Sequence, residues 1–146
     1  MAIPDLIVDR ITTPGVMAAK LLLPWGSATD GIGRRGAHQL LAATLSRGCG
    51  PFDHRQLADL VEGRGAGLRS DAHEDGLLIS LRCTLEDAEQ LLPLLGWMVT
   101  APHLAAEQVG LETSLTLQAL QRQREDPFHL AIDQWRRLVY GSSGYG

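Results

Sequence analysis

Apolar residues open the chain in two short runs, 6–11 and 16–23, separated by Thr12-Thr13-Pro14-Gly15. Runs of this length with turn residues between them predict two strands joined by a turn. Gly26-Ser27-Ala28-Thr29-Asp30-Gly31 then interrupts the pattern. From Arg35 to Arg47 the period changes: Leu40, Leu41, Thr44 and Leu45 recur at helical spacing, and Gly48 stands where a helix stops. A second helix follows. Asp53 precedes Gln56 by three residues, the arrangement of a capping box, at the head of an amphipathic pattern through Leu57, Leu60 and Val61 to Gly63.

Strands return at 68–72 and 77–83 around the polar turn His73-Glu74-Asp75-Gly76, the second run alternating as a hairpin strand does. Thr84 with Asp87 makes another capping box, opening a helix through Leu91, Leu94, Leu95 and Met98 that closes before Pro102. Pro93 inside it predicts a bend or an interrupted turn. Two further helical stretches run from Leu104 to about Glu125 and from Pro127, favoured at a first helical position, to Tyr140. Strands, helices, strands and helices in that order predict an α+β layer structure, with a mixed or antiparallel sheet covered by helices.

Composition narrows the function classes. With 146 residues, 45% of them hydrophobic, the chain has the material for one globular domain with a sizeable core. Its formal net charge of -4 argues against nucleic acid as a partner, because phosphate binders carry a clustered excess of Lys and Arg, and Arg34-Arg35 is too little. Cys49 and Cys83 lack CxxC spacing, which suggests neither a disulfide framework nor a zinc ribbon. Met1-Ala2-Ile3-Pro4-Asp5 has no basic region leading into a long apolar one, and no later stretch approaches a membrane span. The expected location is cytoplasmic, with no membrane association. Gly141-Ser142-Ser143-Gly144-Tyr145-Gly146 is loop chemistry directly after a strong helical pattern, so residues 1–146 are expected to be most of one domain from a longer, multi-domain chain.

The block 26–30 followed by Gly36-Ala37-His38-Gln39-Leu40-Leu41-Ala42-Ala43-Thr44-Leu45-Ser46-Arg47-Gly48 resembles the start of the pitrilysin/insulinase zinc metallopeptidase domain, the processing-peptidase-like fold. Gly65-Ala66 with the strand pair around 69–81, the Pro102 junction, and Glu112 through Gln123-Arg124-Glu125-Asp126-Pro127 extend the resemblance over nearly the whole chain. It is most similar to non-catalytic bacterial members of cyanobacterial type, in which a Leu-Leu-Ala-Ala segment also replaces the metal motif.

What the resemblance implies for chemistry turns on one motif. Active members carry H-x-x-E-H on a helix, the two His binding zinc from one face while the Glu activates water. Registering that motif on Arg47-Gly48 puts Gln39 at the first His, Ala42 at the Glu and Ala43 at the second His. The third ligand, a Glu of a later helix, falls at Ala119, seven residues after Glu112. None of the four can bind zinc or act as the base, so neither cofactor nor catalytic residue is expected. Shifting by one to use His38 restores neither Glu nor second His, and His38 points about 100° away from Gln39 around a helix. It reads as a surface or cap histidine. Three alanines at these positions suggest a small apolar seam between facing helices where a metal pocket once lay.

The remaining polar clusters have local explanations. His73-Glu74-Asp75, and His54 beside Asp53, can be drawn as a metal cluster or an acid/base pair, but they read as turn and cap residues. Cys83 reads as a small buried hydrophobe, and Trp97 and Trp135 as core. Glu112 is left either to pair with an Arg or to face water. The strand Leu68-Arg69-Ser70-Asp71 corresponds in active relatives to a sheet edge that holds an extended peptide by main-chain hydrogen bonds; a plain edge guarded by charge is the equal alternative. The resemblance thus implies a non-catalytic subunit that completes a peptide-binding chamber, as a dimer beside a zinc-bearing peptidase subunit of the same family. The alternatives are a stand-alone peptide-binding or scaffold protein, and a divergent hydrolase with unrecognised ligands.

Overall fold

The computed structural model describes residues 5–145; residues 1–4, which open the N-terminal segment read above, and Gly146, the last of the 141–146 loop, lie outside them. Three strands form one antiparallel sheet in the order β1 (Val16–Leu23), β3 (Leu77–Thr84), β2 (Gly67–Ala72). The central strand β3 alternates strictly, with Leu77, Ile79, Leu81 and Cys83 buried and Leu78, Ser80, Arg82 and Thr84 on the other side. One face therefore belongs to the core and the other does not. Antiparallel pairing is what the hairpin turn at 73–76 dictates, where His73 N donates to Gly76 O at 2.8 Å.

Helices cover the apolar face only. α1 (Ala37–Leu45) and α2 (His54–Glu62) pack on β2, α3 (Ala88–Thr100) packs on β3 and β1, and α4 (Ala106–Gln123) lies against α1. The core joins Leu45 and Cys49, Leu57 and Val61 of α2, the inward residues of β3, and Leu91, Leu94 and Met98 of α3. α5 (Pro127–Tyr140) starts at a proline, with Asp126 accepting from Phe128 N, and has no buried residue. The sheet is thus antiparallel and the fold α+β, with α1, α2 and α3 packed on its apolar face.

Local chemistry sets most boundaries. Asp53 accepts from Arg55 N and Gln56 N while Gln56 returns a bond to Asp53 N, closing the capping box of α2. Thr84 and Asp87 exchange the expected bonds, but a turn at 85–87 intervenes before α3 begins at Ala88. After α1 the chain turns sharply: Gly48 has φ 126°, and a Cβ there would lie 2.9 Å from His103 Nδ1, so only glycine fits. Two helices are shorter than the pattern suggests, α1 ending at Leu45 and α4 beginning at Ala106 after Leu104 at φ 44°.

Two expectations need correction. Residues 6–11 form no strand; Leu6, Ile7 and Val8 are 85%, 91% and 78% exposed. An apolar run becomes a strand only where another backbone pairs with it, and among the described residues none does. Of the two readings of Pro93, the interrupted turn does not occur, since α3 is continuous from Ala88 to Thr100. Proline removes the N–H that would bond to the carbonyl of Glu89, and both residues are exposed, so water can take that carbonyl.

Candidate functional site

α1 carries Gln39, Ala42 and Ala43, and its neighbour α4 carries Ala119. Ala42 is buried and Ala43 half-buried, while Gln39 and Ala119 are exposed. Of the four positions only Ala42 is thus fully buried, and Gln39 and Ala119 face solvent. Alanine offers no ligand and the Gln39 amide is a poor one, so this set does not fit a zinc ion. Among the described residues, no three His, Cys, Asp or Glu side chains are grouped so as to hold a metal.

Where a charged pair does survive between these helices, it is Arg47 with Glu112. Arg47 Nε donates to Glu112 Oε1 at 2.6 Å, and Nη2 contacts the same oxygen. Glu112 is 7% exposed. Buried charge needs such a partner, so the ion pair links the exit of α1 to the middle of α4. His38 does not reach this region. Its Nδ1 shares a 2.6 Å hydrogen bond with Asp30 Oδ1, and Asp30 Oδ2 accepts from Gly36 N at 3.0 Å and His38 N at 3.5 Å. Asp30 thereby supplies the N-terminal cap that Gly36, with no side chain, cannot. Burial pushes the Asp30 carboxyl up, but the bonds from His38 and Gly36 outweigh it and hold the group below its ordinary range.

The strand 68–71 lies within β2, which among the described residues pairs only with β3, so that its outer edge is unpaired there. The register alternates its side chains: Leu68 and Ser70 lie opposite the inward Leu81 and Ile79, and Arg69 and Asp71 opposite Ser80 and Leu78 on the helix-free face. Ser70 Oγ donates to the Ala42 carbonyl at 2.5 Å, tying β2 to α1. Beside Leu68, a recess of about 270 Å³ opens between α2 and β2, lined by Arg47, His54, Leu57 and Val61. Asp71 meets Arg69 Nη2 at 3.4 Å.

The other polar clusters are structural. Asp53 caps α2; Glu74 accepts from Arg136 Nη2 at 2.7 Å and Asp75 from the Tyr145 hydroxyl, fastening the hairpin turn to α5. Cys49 and Cys83 are buried free thiols, and burial pushes both up, with the Asp87 charge adding to the effect at Cys83. Neither is poised as a nucleophile. Trp97 is half-buried against Phe52 at 5.9 Å between ring centroids. Trp135 departs from the expectation of a core residue: it is 55% exposed on α5, edge-on to Tyr140. Among the described residues, no helix is long and apolar enough to cross a membrane.

No protein-family model matches the chain, and no curated protein does. Solved structures do. The chain is similar to the peptidase M16 inactive domain from Pseudomonas fluorescens, with 26% identity and a TM-score of 0.82 over 90% of this chain and 32% of that one. A protease from Helicobacter pylori matches at 14% identity and a TM-score of 0.71 over 80% of this chain and 28% of that one. The chain thus has the fold of an M16 peptidase-like domain and spans about a third of the length of these structures.

Proposed function

We propose that this chain is a non-catalytic homologue of the M16 zinc peptidases that holds extended peptides on β2 and contributes to a chamber beside a zinc-bearing partner. The observation that carries the reading is the outer edge of β2, unpaired among the described residues, in a fold whose neighbouring helices carry Gln39, Ala42, Ala43 and Ala119. Main-chain pairing of a peptide with an open strand needs backbone, not metal. Side chains of such a peptide alternate between the two sides of the sheet, and the recess at Leu68 offers one side a receptacle. The likeness to a domain described as inactive supports the loss of hydrolysis. Chain length relative to these structures supports a place in a larger assembly.

The test is a titration of fluorescent unstructured peptides with the chain, alone and mixed with a zinc-bearing M16-type subunit. The expected result is binding without cleavage by the chain alone and a higher kcat/KM of the partner in the mixture. Cleavage by the metal-free chain overturns the reading. Binding with unchanged partner activity removes the chamber role and leaves a stand-alone peptide-binding or scaffold protein.

A further inference from the structure

On the helix-free face of the sheet, cations from three adjacent strands surround one small residue. Lys20 of β1 and Arg69 of β2 both lie directly opposite Ser80 of β3. Arg82 stands two positions along β3, with Ala18 and Gly67 opposite it. Residues two apart on a strand share a face, so Lys20, Arg69, Ser80 and Arg82 all project to the same side. Because Ala18, Gly67 and Ser80 are short, the long side chains wall a shallow concavity of about 320 Å³. One carboxylate lines it, Asp71, 3.4 Å from Arg69. Among the described residues, Lys20 and Arg82 form no ion pair. A chain of net charge -4 thus concentrates uncompensated positive charge beside its open strand edge.

We infer that this concavity selects acidic side chains in an extended peptide paired with β2. The inference rests on the peptide-holding reading above and names the substrate class. A peptide strand added to β2 places every second side chain on this face, about 5 Å from its neighbour on β2. A Glu or Asp opposite Arg69 then meets that guanidinium first, with Arg82 one strand further in and Lys20 beyond it. The open edge supplies affinity without regard to side chains, and the three cations supply the preference. One exposed ion pair changes affinity by about fivefold at most, so the selectivity comes from the cluster.

The experiment compares the unmodified chain with Lys20→Ser/Arg69→Ser/Arg82→Ser. The probes are two fluorescent peptides of equal length, one with Glu at alternate positions and one with Gln there. At low salt the chain should bind the Glu peptide about tenfold more tightly than the Gln peptide, and the difference should shrink in about 0.5 M salt as screening shortens. In the triple variant the ratio of the two affinities, measured on the same protein, should fall to about one. Arg82→Ser alone, a single exposed change, should lose part of it. Equal affinity of the unmodified chain for both peptides overturns the charge selection and leaves peptide holding intact; no binding of either overturns both. Tighter capture of a single-stranded oligonucleotide than of the Glu peptide also overturns the inference, because the patch would then serve a polyanion.

Discussion

Arg47 and Glu112 stand 65 positions apart in the chain and within a 2.6 Å hydrogen bond in the fold. The carboxylate is nearly inaccessible, while the Arg47 side chain is 38% exposed. The pair is therefore asymmetric: water can rescue the guanidinium, but among the described residues no other cation pairs with Glu112.

Removing Arg47 should consequently cost more than removing the pair. Arg47→Met should destabilise the fold by about 1–3 kcal/mol through the orphaned carboxylate. The double variant Arg47→Met/Glu112→Leu should cost less than the sum of the single changes, with a coupling of about 1 kcal/mol or more. Urea unfolding of the four proteins measures it. Additive costs would show that the pair does not tie α1 to α4.

Asp30 predicts a pH dependence. A carboxyl whose folded-state pKa lies below its ordinary value, near 3.8, stabilises the fold fully above that value. The contribution disappears as the pH falls through the lower folded-state value, because protonation replaces the charged acceptor for His38 and the α1 amides with a neutral, weaker one. Asp30→Ala should cost about 1 kcal/mol at neutral pH, as for a lost helix cap. The gap between variant and parent should narrow in strong acid. Denaturation midpoints at a series of pH values would reveal this, and a gap that stays constant into strong acid would sink it.

Gln39 and Ala43 lie one helical turn apart on α1, one exposed and one half-buried, so histidines at both would face the same way. Gln39→His/Ala43→His should gain weak zinc affinity, read as a rise of several degrees in Tm with saturating zinc. Adding Ala119→Glu should tighten zinc further if α4 presents that position to the pair; no gain would show that these positions do not converge. Ala42→Glu is the costly step, about 1–3 kcal/mol, because Ala42 is 4% exposed.

β3 was legible because Leu77, Ile79, Leu81 and Cys83 alternate within one strand, and α2 because Asp53 and Gln56 are three residues apart. The glycine at 48 and the proline at 127 mark boundaries for the same reason: they act on their own backbone dihedrals. The strand β2 is visible in the chain too, whereas its place at the sheet edge depends on which strands arrive beside it. Its registration with Ser80, which gathers Lys20, Arg69 and Arg82, is not visible there.

By itself, then, the sequence determined most of the elements and their apolar sides, since periodicity and capping operate over a turn of helix or two residues of strand. It also determined that positions 39, 42, 43 and 119 offer no zinc ligand set. Only the tertiary structure decided that Glu112 is buried against Arg47 and that Asp30 caps the helix of His38. It also decided that residues 6–11 find no partner strand, and that Trp135 faces solvent. Those outcomes depend on which distant segment arrives alongside, and burial, pairing and exposure are properties of that encounter rather than of the local chain.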